Sequence, residues 1–195
     1  MLKRAFDFLS SLIGLILISP VLLTIAILIK REDGGPVFYR GVRVGRFGKP
    51  FRIFKFRTMV VDADKGGGPS TADDDPRITK IGKLIRKSKL DELPQLLNVL
   101  KGEMSIVGPR PEVQMYVALF TEEERAILKV RPGITDWASL WNPDEGAILA
   151  GSPDPEKTYL DRIRPEKIRL QLKYVRERNL WSDLKIIAQT FLKLL

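Results

Sequence analysis

Residues 8–29 carry no charged side chain, and basic pairs bracket the run, Lys3-Arg4 before it and Lys30-Arg31 after it. About 20 apolar residues reach across a bilayer, so this stretch commits the chain to a membrane before any other feature is read. The remainder cannot follow it into lipid, because 29% of the chain is Asp, Glu, Lys or Arg. The expected organisation is an anchor over 1–33 and a globular domain over 34–195.

A straight helix over residues 8–29 would run roughly 33 Å. Pro20 interrupts it by removing one backbone donor and clashing with the carbonyl four residues back. Ser19 carries a hydroxyl able to serve the backbone groups freed there. Cut at this point, each half reaches only the bilayer midplane. Both flanks are basic, so the positive-inside bias sends neither end across. Two topologies follow: a kinked single crossing, and a hairpin that enters and leaves by one face. The residues by themselves favour the crossing. A cleaved signal peptide is not expected, since no small-residue cleavage pattern follows and Lys30-Arg31 abuts the run.

The net charge of +9 is unevenly spread. Residues 40–57 hold seven basic side chains (Arg40, Arg43, Arg46, Lys49, Arg52, Lys55, Arg57) and no acidic one, whereas residues 62–75 hold five aspartates and one lysine. A basic face on an anchored protein attracts anionic headgroups at about 1 kcal/mol per residue, and it also suits phosphate-bearing substrates. No nucleic-acid recognition motif is present. The chain has no cysteine and no histidine. Disulfides, thiolate chemistry, a Ser-His-Asp triad and an imidazole base are excluded. Any catalysis must use carboxylates, Lys, Arg, Ser/Thr or Tyr, and any metal would be a hard ion held by oxygen, foremost Mg²⁺.

Residues 37–59 read as strands, with a hairpin at Arg46-Phe47-Gly48-Lys49-Pro50. Alternation over residues 51–58 puts Phe51, Ile53, Lys55 and Arg57 on one face, with Lys55 and Arg57 projecting together about 7 Å apart. That pair either binds an anion or protects a strand edge by charge. Residues 62–76, with Gly66-Gly67-Gly68-Pro69, read as a mobile solvated loop, and Asp73-Asp74-Asp75 lacks the spacing of a calcium loop. Residues 78–87 read as a basic helix containing Arg86. Ser88, with Asp91 three residues on, reads as the cap of a second helix. Leu90, Leu93, Leu97 and Leu100 are its buried stripe and Gly102 its stop. Asp91 and Glu92 would sit at its positive end, which favours their ionised forms; by spacing alone they are ordinary N-terminal acidic residues.

Pro109 and Pro111 fix the backbone on both sides of Arg110, pre-placing its guanidinium for bidentate contact with phosphate or carboxylate. Arg131-Pro132-Gly133 is a similar Arg-bearing turn. Thr121 and Glu124 form a capping box for a short helix to Lys129. Residues 165–178 read as a helix of mixed charge. Residues 180–195 read as a final helix with Leu184, Ile187, Phe191, Leu194 and Leu195 on its apolar face, packed on the core or lying among headgroups. Trp137, Trp141 and Trp181 are interfacial anchors or core residues.

At Lys55-Phe56-Arg57-Thr58-Met59, Leu90-Asp91-Glu92-Leu93, Val107-Gly108-Pro109-Arg110-Pro111 and Arg131-Pro132-Gly133-Ile134-Thr135 the chain resembles the monotopic phosphoglycosyl transferases, a family of bacterial sugar transferases. The likeness spans nearly the full length, including Ser19-Pro20 and the Leu-Trp-Ser-Asp-Leu-Lys-Ile run at 180–186, and suggests the small, minimal form. It implies an α+β fold: a re-entrant membrane helix-break-helix, then a small helix-rich cytosolic catalytic domain with a short β-hairpin or sheet and interfacial amphipathic helices. This reverses the preference for a crossing, and Ser19, Pro20, Pro109 and Pro111 become structural residues of the site. The implied location is the cytoplasmic face of the bacterial inner membrane.

The resemblance also implies a reaction. A sugar-1-phosphate passes from a nucleotide sugar, usually a UDP-sugar, to a polyprenol phosphate such as undecaprenyl phosphate, releasing UMP. Asp91 would be the nucleophile of a ping-pong mechanism, carrying the phosphosugar covalently, with Glu92 as its dyad partner. Magnesium (Mg²⁺) at Asp91 and Glu92 would neutralise the diphosphate. Lys55 and Arg110 would line the phosphate site, with Arg57 and Arg86 beside them. Expected partners are the nucleotide sugar, the lipid phosphate, an anionic membrane and a second copy as homodimer, with no nucleic acid.

Two departures stand out. Many members continue Gly-Trp-Ala-Gln-Val-Asn-Gly-Arg after the Pro132-Gly-Ile-Thr135 motif, whereas here the run is Asp136-Trp-Ala-Ser-Leu-Trp-Asn-Pro143 and a longer stretch to Pro155, without that arginine. Where many carry Leu-Asp before a tyrosine pair, this chain has Leu170-Gln171. A catalytically silent membrane scaffold for glycosyltransferases is the alternative; the intact Asp91-Glu92 pair favours the enzyme.

Overall fold

The computed structural model describes residues 2–63 and 70–194, apart from the side chain of Leu194. The Gly66-Gly67-Gly68-Pro69 segment, expected as a mobile loop, and Leu195, expected on the last apolar face, lie outside the described residues. The architecture is mixed and rich in helix, with three small two-stranded sheets among the described residues.

Helix α1, Leu2–Asp33, runs without interruption through Pro20 and spans roughly 48 Å. The break expected at Ser19-Pro20 is therefore absent from the helical backbone, and the reason is local. Pro20 has no N–H for the carbonyl of Ile16, and Ser19 Oγ donates to that oxygen instead at 2.8 Å. The hydroxyl restores the bond that the ring deletes.

Both ends of α1 are fastened to the rest of the chain. Lys3 Nζ reaches Asp183 at 2.6 Å and the carbonyl of Val107 at 3.1 Å. Arg4 donates to the carbonyls of Val99 and Leu100 at 2.5 and 2.8 Å. Asp7 accepts from Ser105 Oγ at 2.8 Å and Ile106 N at 3.1 Å. At the far end Asp33 pairs with Arg57, and Ile25 and Ile29 pack with Phe56 and Ile85. Ile29, Phe56 and Ile85 are each 2% exposed, and burying such a side chain is worth about 1.5–3 kcal/mol. Asp7, Ser11, Ile25 and Ile29 form the inward stripe, while Leu9, Ile13, Ile16, Leu17 and Leu23 face outward and exposed. Between its charged ends the helix is apolar all round, with one face covered by protein and the other by none of the described residues.

The expected hairpin forms between β2 (Val42–Val44) and β3 (Pro50–Arg52), flanked by β1 (Phe38–Tyr39) paired with β4 (Lys55–Phe56), both pairs antiparallel. The run expected as one strand over 51–58 is interrupted at Ile53-Phe54 by a buried side chain. Asn98 accepts from Phe54 N at 2.8 Å and donates to Arg52 O at 2.9 Å, taking over ladder bonds there. Helix α2, Lys80–Lys87, is capped by Thr79, whose hydroxyl accepts from Gly82 N. A 3₁₀ turn over Leu90–Gln95 leads into α3, Leu96–Lys101, and Gly102 ends it at φ 82°, in the left-handed conformation that a glycine stop supplies.

Strands β5 (Ser105–Val107) and β6 (Gly133–Thr135) pair in parallel. Their approach is too close for side chains at the two glycines, since a Cβ on Gly133 would lie 2.1 Å from Gly108 N. The chain continues through α4 (Gln114–Val117), α5 (Trp137–Trp141), α6 (Glu145–Leu149), α7 (Pro155–Thr158), α8 (Arg164–Glu177) and α9 (Leu180–Leu194). The capping box is reciprocal: Thr121 N donates to Glu124 at 3.0 Å, and Glu124 N to Thr121 Oγ1 at 3.3 Å.

Helix α9 buries Asp183 and Ile186 and half-buries Ile187, while Trp181, Leu184, Phe191 and Leu192 are exposed. Of the apolar face expected for this helix, then, Ile187 turns toward the core and Leu184 and Phe191 turn away. Trp137 packs in the cluster around Val107, Tyr174 and Ile186, whereas Trp181 is 78% exposed.

Candidate active site

The site is built where α2 ends. Ser88, expected to cap the following helix, instead closes α2, its hydroxyl donating to the carbonyls of Leu84 and Ile85. Lys89 then takes the left-handed conformation at φ 55°, a position few non-glycine residues adopt. The chain reverses there and enters the 3₁₀ turn. Pro94 inside that turn has no N–H to give, which suits the tighter winding. Asp91 and Glu92 are adjacent in that turn, and both lie in the field of Lys55 and Arg110.

Glu92 is held by two cations. Arg110 Nη1 and Nη2 donate to its two oxygens at 2.7 and 2.5 Å, and Lys55 Nζ donates at 2.7 Å. Burial alone would raise its pKa, but Arg110 and Lys55 outweigh that and hold Glu92 well below the usual carboxylate range. Asp91 is 7% exposed and accepts no hydrogen bond among the described residues. Burial pushes its carboxyl above the ordinary value, with the Glu92 charge acting in the same direction and Lys55, Arg86 and Arg110 pulling back. Two neighbouring carboxylates are driven apart, a pattern that assigns them different work.

Arg110 is fixed as its flanking prolines require. Its backbone N–H donates to Asp136 at 3.3 Å, and Nη1 also reaches Ile134 O at 3.2 Å. The close β5–β6 pairing therefore brings Pro109-Arg110-Pro111 and the Arg131–Thr135 turn to one place. Asp136 is fully buried and caps α5 through Ser139 N at 2.7 Å. Arg86 lies in the field of Asp91, and its Nη1 is buried without a hydrogen-bond partner among the described residues. Arg57 is not brought to this group. Its guanidinium binds Asp33 and the carbonyl of Pro36, so it ties β4 to the end of α1, and the shared face expected for Lys55 and Arg57 is not formed. Ser19 and Pro20 lie on the outer part of α1, away from the dyad's hydrogen bonds.

A second layer was not evident in the sequence. Lys167, 6% exposed, bridges Glu112 and Glu145 at 2.8 and 2.9 Å. Burial opposes its charge, but the two carboxylates hold its pKa well above the ordinary lysine value. Glu112 directly follows the Pro109–Pro111 motif, and Glu145 lies in the departing 136–155 segment. The same segment places Asp144 at 3.5 Å from Lys89. The segment thus touches the turn that carries Asp91 at Lys89. Gln171, at the second departure, is fully buried behind Arg110, its Nε2 at 3.5 Å from the Arg110 carbonyl. The signal for Lys167 was only a lysine on the inner face of an amphipathic helix.

Three cations facing two carboxylates leave room for an anionic ligand. Among the described residues no cluster of three metal-ligating side chains occurs, and both Glu92 oxygens are already engaged. The unbonded Asp91 carboxylate is the donor that remains. This suits Mg²⁺, which is commonly held by one or two carboxylates together with substrate phosphates and water.

The family model described as bacterial sugar transferase matches residues 1–195. A UDP-N-acetylgalactosamine-undecaprenyl-phosphate N-acetylgalactosaminephosphotransferase of Aeromonas hydrophila is 38% identical over 97% of this chain and 42% of its own length. A UDP-glucose:undecaprenyl-phosphate glucose-1-phosphate transferase of Escherichia coli is 40% identical over 99% of this chain and 40% of its own. The chain thus spans about two fifths of those two relatives. It covers 87% of a sugar transferase, EpsL, of Bacillus subtilis, also at 40% identity. With the whole chain matched by the family model and nearly all of a relative covered, the protein belongs to the bacterial sugar transferase family.

Proposed function

We propose that the protein transfers a sugar-1-phosphate from a UDP-sugar to undecaprenyl phosphate and releases UMP. The observation that carries this reading is the asymmetry of the dyad, with Glu92 saturated by Arg110 and Lys55 while buried Asp91 keeps its oxygens unbonded. In the first step an Asp91 oxygen attacks the sugar-bearing phosphorus, the bond to the UMP oxygen breaks, and UMP leaves. In the second, an oxygen of the lipid phosphate attacks the same phosphorus and frees Asp91. A desolvated carboxylate is a stronger nucleophile than a hydrated one, and no histidine is needed. Lys55, Arg86 and Arg110 favour the ionised form of Asp91 against its burial and offset its repulsion from the phosphates. Mg²⁺ held by Asp91 and the donor's phosphates would supply further neutralisation of the diphosphate, while Glu92, whose two oxygens are taken by Arg110 and Lys55, would not be a ligand.

The anchor supports a monotopic seat on the cytoplasmic face. A crossing helix would carry its ends to opposite sides of the bilayer, whereas Lys3, Arg4 and Asp7 at one end and Ile29 and Asp33 at the other bind one globular body. The outward face of α1 and the exposed Trp181, Leu184, Phe191 and Leu192 of α9 supply apolar surface for one leaflet. Incubation with a panel including UDP-glucose and UDP-N-acetylgalactosamine, Mg²⁺ and undecaprenyl phosphate tests the reaction. UMP release dependent on Asp91 supports it, and no release from any donor refutes it.

A further inference from the structure

Lys167 stands on the buried face of α8 with Ile168, Gln171 and Tyr174, and no step above makes use of it. Its Nζ lies 2.8 Å from Glu112, 2.9 Å from Glu145 and 3.4 Å from the Tyr159 hydroxyl. That hydroxyl in turn donates to Glu112 at 3.1 Å. The three donors of the ammonium are thereby spent, so the group is built to hold carboxylates rather than to meet a ligand. We propose that Lys167 is a positioning residue of the phosphate site: it claims Glu145, which would otherwise turn to Arg110, and so keeps a third carboxylate from opposing the donor's diphosphate. The assignment rests on the transferase reading above.

The contest is over Arg110. Its guanidinium bonds both oxygens of Glu92, while the charges of Glu145 and Asp136 also act on it. Asp136 is occupied, accepting from the Arg110 backbone N–H and from Ser139 N and Oγ. Glu145, among the described residues, bonds through its side chain to Lys167 alone. Burial would raise the Glu145 carboxyl, but Lys167 first and Arg110 next hold it below the ordinary glutamate value. With Lys167 gone, Arg110 is the cation left in its field. Glu145 has little freedom to swing away, because its segment is tied on either side. Asp144 pairs with Lys89 at 3.5 Å, Gly146 O accepts from Asp73 N at 3.2 Å, and Gly151 N donates to Asp74 at 3.1 Å. Glu112 is fixed likewise, its carbonyl accepting from Val44 N at 2.9 Å. A released Glu145 therefore stays beside the dyad and repels phosphate, more strongly than in water because the surroundings are partly dry.

The test is calorimetric binding of inorganic pyrophosphate with Mg²⁺ to the full chain in phospholipid vesicles. Lys167→Met combined with Glu112→Gln removes one charge of each sign, so the net charge is kept and Glu145 is released. The dissociation constant should rise about tenfold, and the donor KM should rise with it while kcat changes less. Adding Glu145→Gln to that pair should bring binding back to within about twofold of the wild type, a rescue that a damaged fold would not show. Unchanged affinity on releasing Glu145, or a loss that persists after Glu145→Gln in a variant with native circular dichroism, overturns the proposal. Glu145→Gln alone, with Lys167 in place, gives a reading that needs no buried lysine removed. Its dissociation constant should fall about threefold, since one repelling carboxylate leaves; an unchanged or higher value also overturns the proposal. Pyrophosphate binding needs no turnover, so the expected series from a protein that releases no UMP would refute the transferase reading alone.

Discussion

Arg110 grips both oxygens of Glu92, at 2.7 and 2.5 Å. It turns one member of a carboxylate pair into a fixed, charge-neutralised strut. Asp91, the next residue back, is left with electrostatic neighbours and no bond. The pair is chemically divided by a single guanidinium that two prolines hold in place.

Replacing Asp91 by Asn keeps the shape of the turn and removes the nucleophile. UMP release should fall by more than about 10³-fold, and mass spectrometry of protein incubated with donor alone should lose the phosphosugar adduct seen on wild type. An adduct surviving at another residue would displace Asp91 from the mechanism.

The pH profile of donor cleavage follows from the raised Asp91 carboxyl. Burial lifts it above 3.8, and attack requires the ionised form, so the acid limb of single-turnover UMP release should lie above that value. Arg86→Gln removes a cation that favours the charged form, which must move the limb to still higher pH. A limb that stays in place or moves to lower pH would contradict the assignment.

Arg110→Ala leaves Glu92 with Lys55 alone, in a largely water-excluded place. Losing one partner of a buried pair costs about 3–5 kcal/mol, and the partial exposure of both side chains brings the expectation to about 2–3 kcal/mol in denaturation. Arg110→Ala in a Glu92→Gln background should cost markedly less. The folded Glu92 pKa lies below its unfolded value, so its stabilisation is present above about pH 4.5 and is lost as pH falls through the depressed value. Acid titration of wild-type stability against Glu92→Gln measures that loss.

Ser19 and Pro20 form a compensating pair, because the Ser19 hydroxyl bonds the carbonyl that Pro20 orphans. Ser19→Ala should destabilise α1 by about 1 kcal/mol, yet cost almost nothing in a Pro20→Leu background, where a backbone N–H returns. Equal costs in both backgrounds would separate the two residues.

The chain has no cysteine, so single cysteines at residue 2 and residue 35 report topology without background. Both should react with a membrane-impermeant maleimide from the cytoplasmic side alone. Labelling from opposite sides would establish a crossing.

The sequence made the proline-clamped Arg110, the hairpin and the Gly102 stop legible, because each depends on neighbours within a few residues, whereas Asp91 and Glu92 were singled out only by the family resemblance. It did not reveal which cations Glu92 would meet. Arg57 and Lys55 share a strand register, yet one turns to Asp33 and the other to Glu92, a choice made by where α1 ends. Ser88 was misread because its carbonyl partners belong to the helix before it. Lys167 with Glu112 and Glu145 joins residues far apart in the chain, and no local spacing announces such a cluster. The Ser19 hydroxyl was anticipated as a partner for the backbone freed at Pro20, but not that its one bond would keep α1 unbroken.

Asp7 has a consequence for how the protein is made. Its carboxylate is 2% exposed and bonded to Ser105 and Ile106, 98 and 99 positions later. A ribosome releases this acidic residue at the head of a greasy nascent segment long before its partners exist. Until β5 emerges the charge has no protein shelter, and lipid is a costly host for it. The final seat of α1 is therefore fixed only once β5 has been made, because Asp7 gains its partners there.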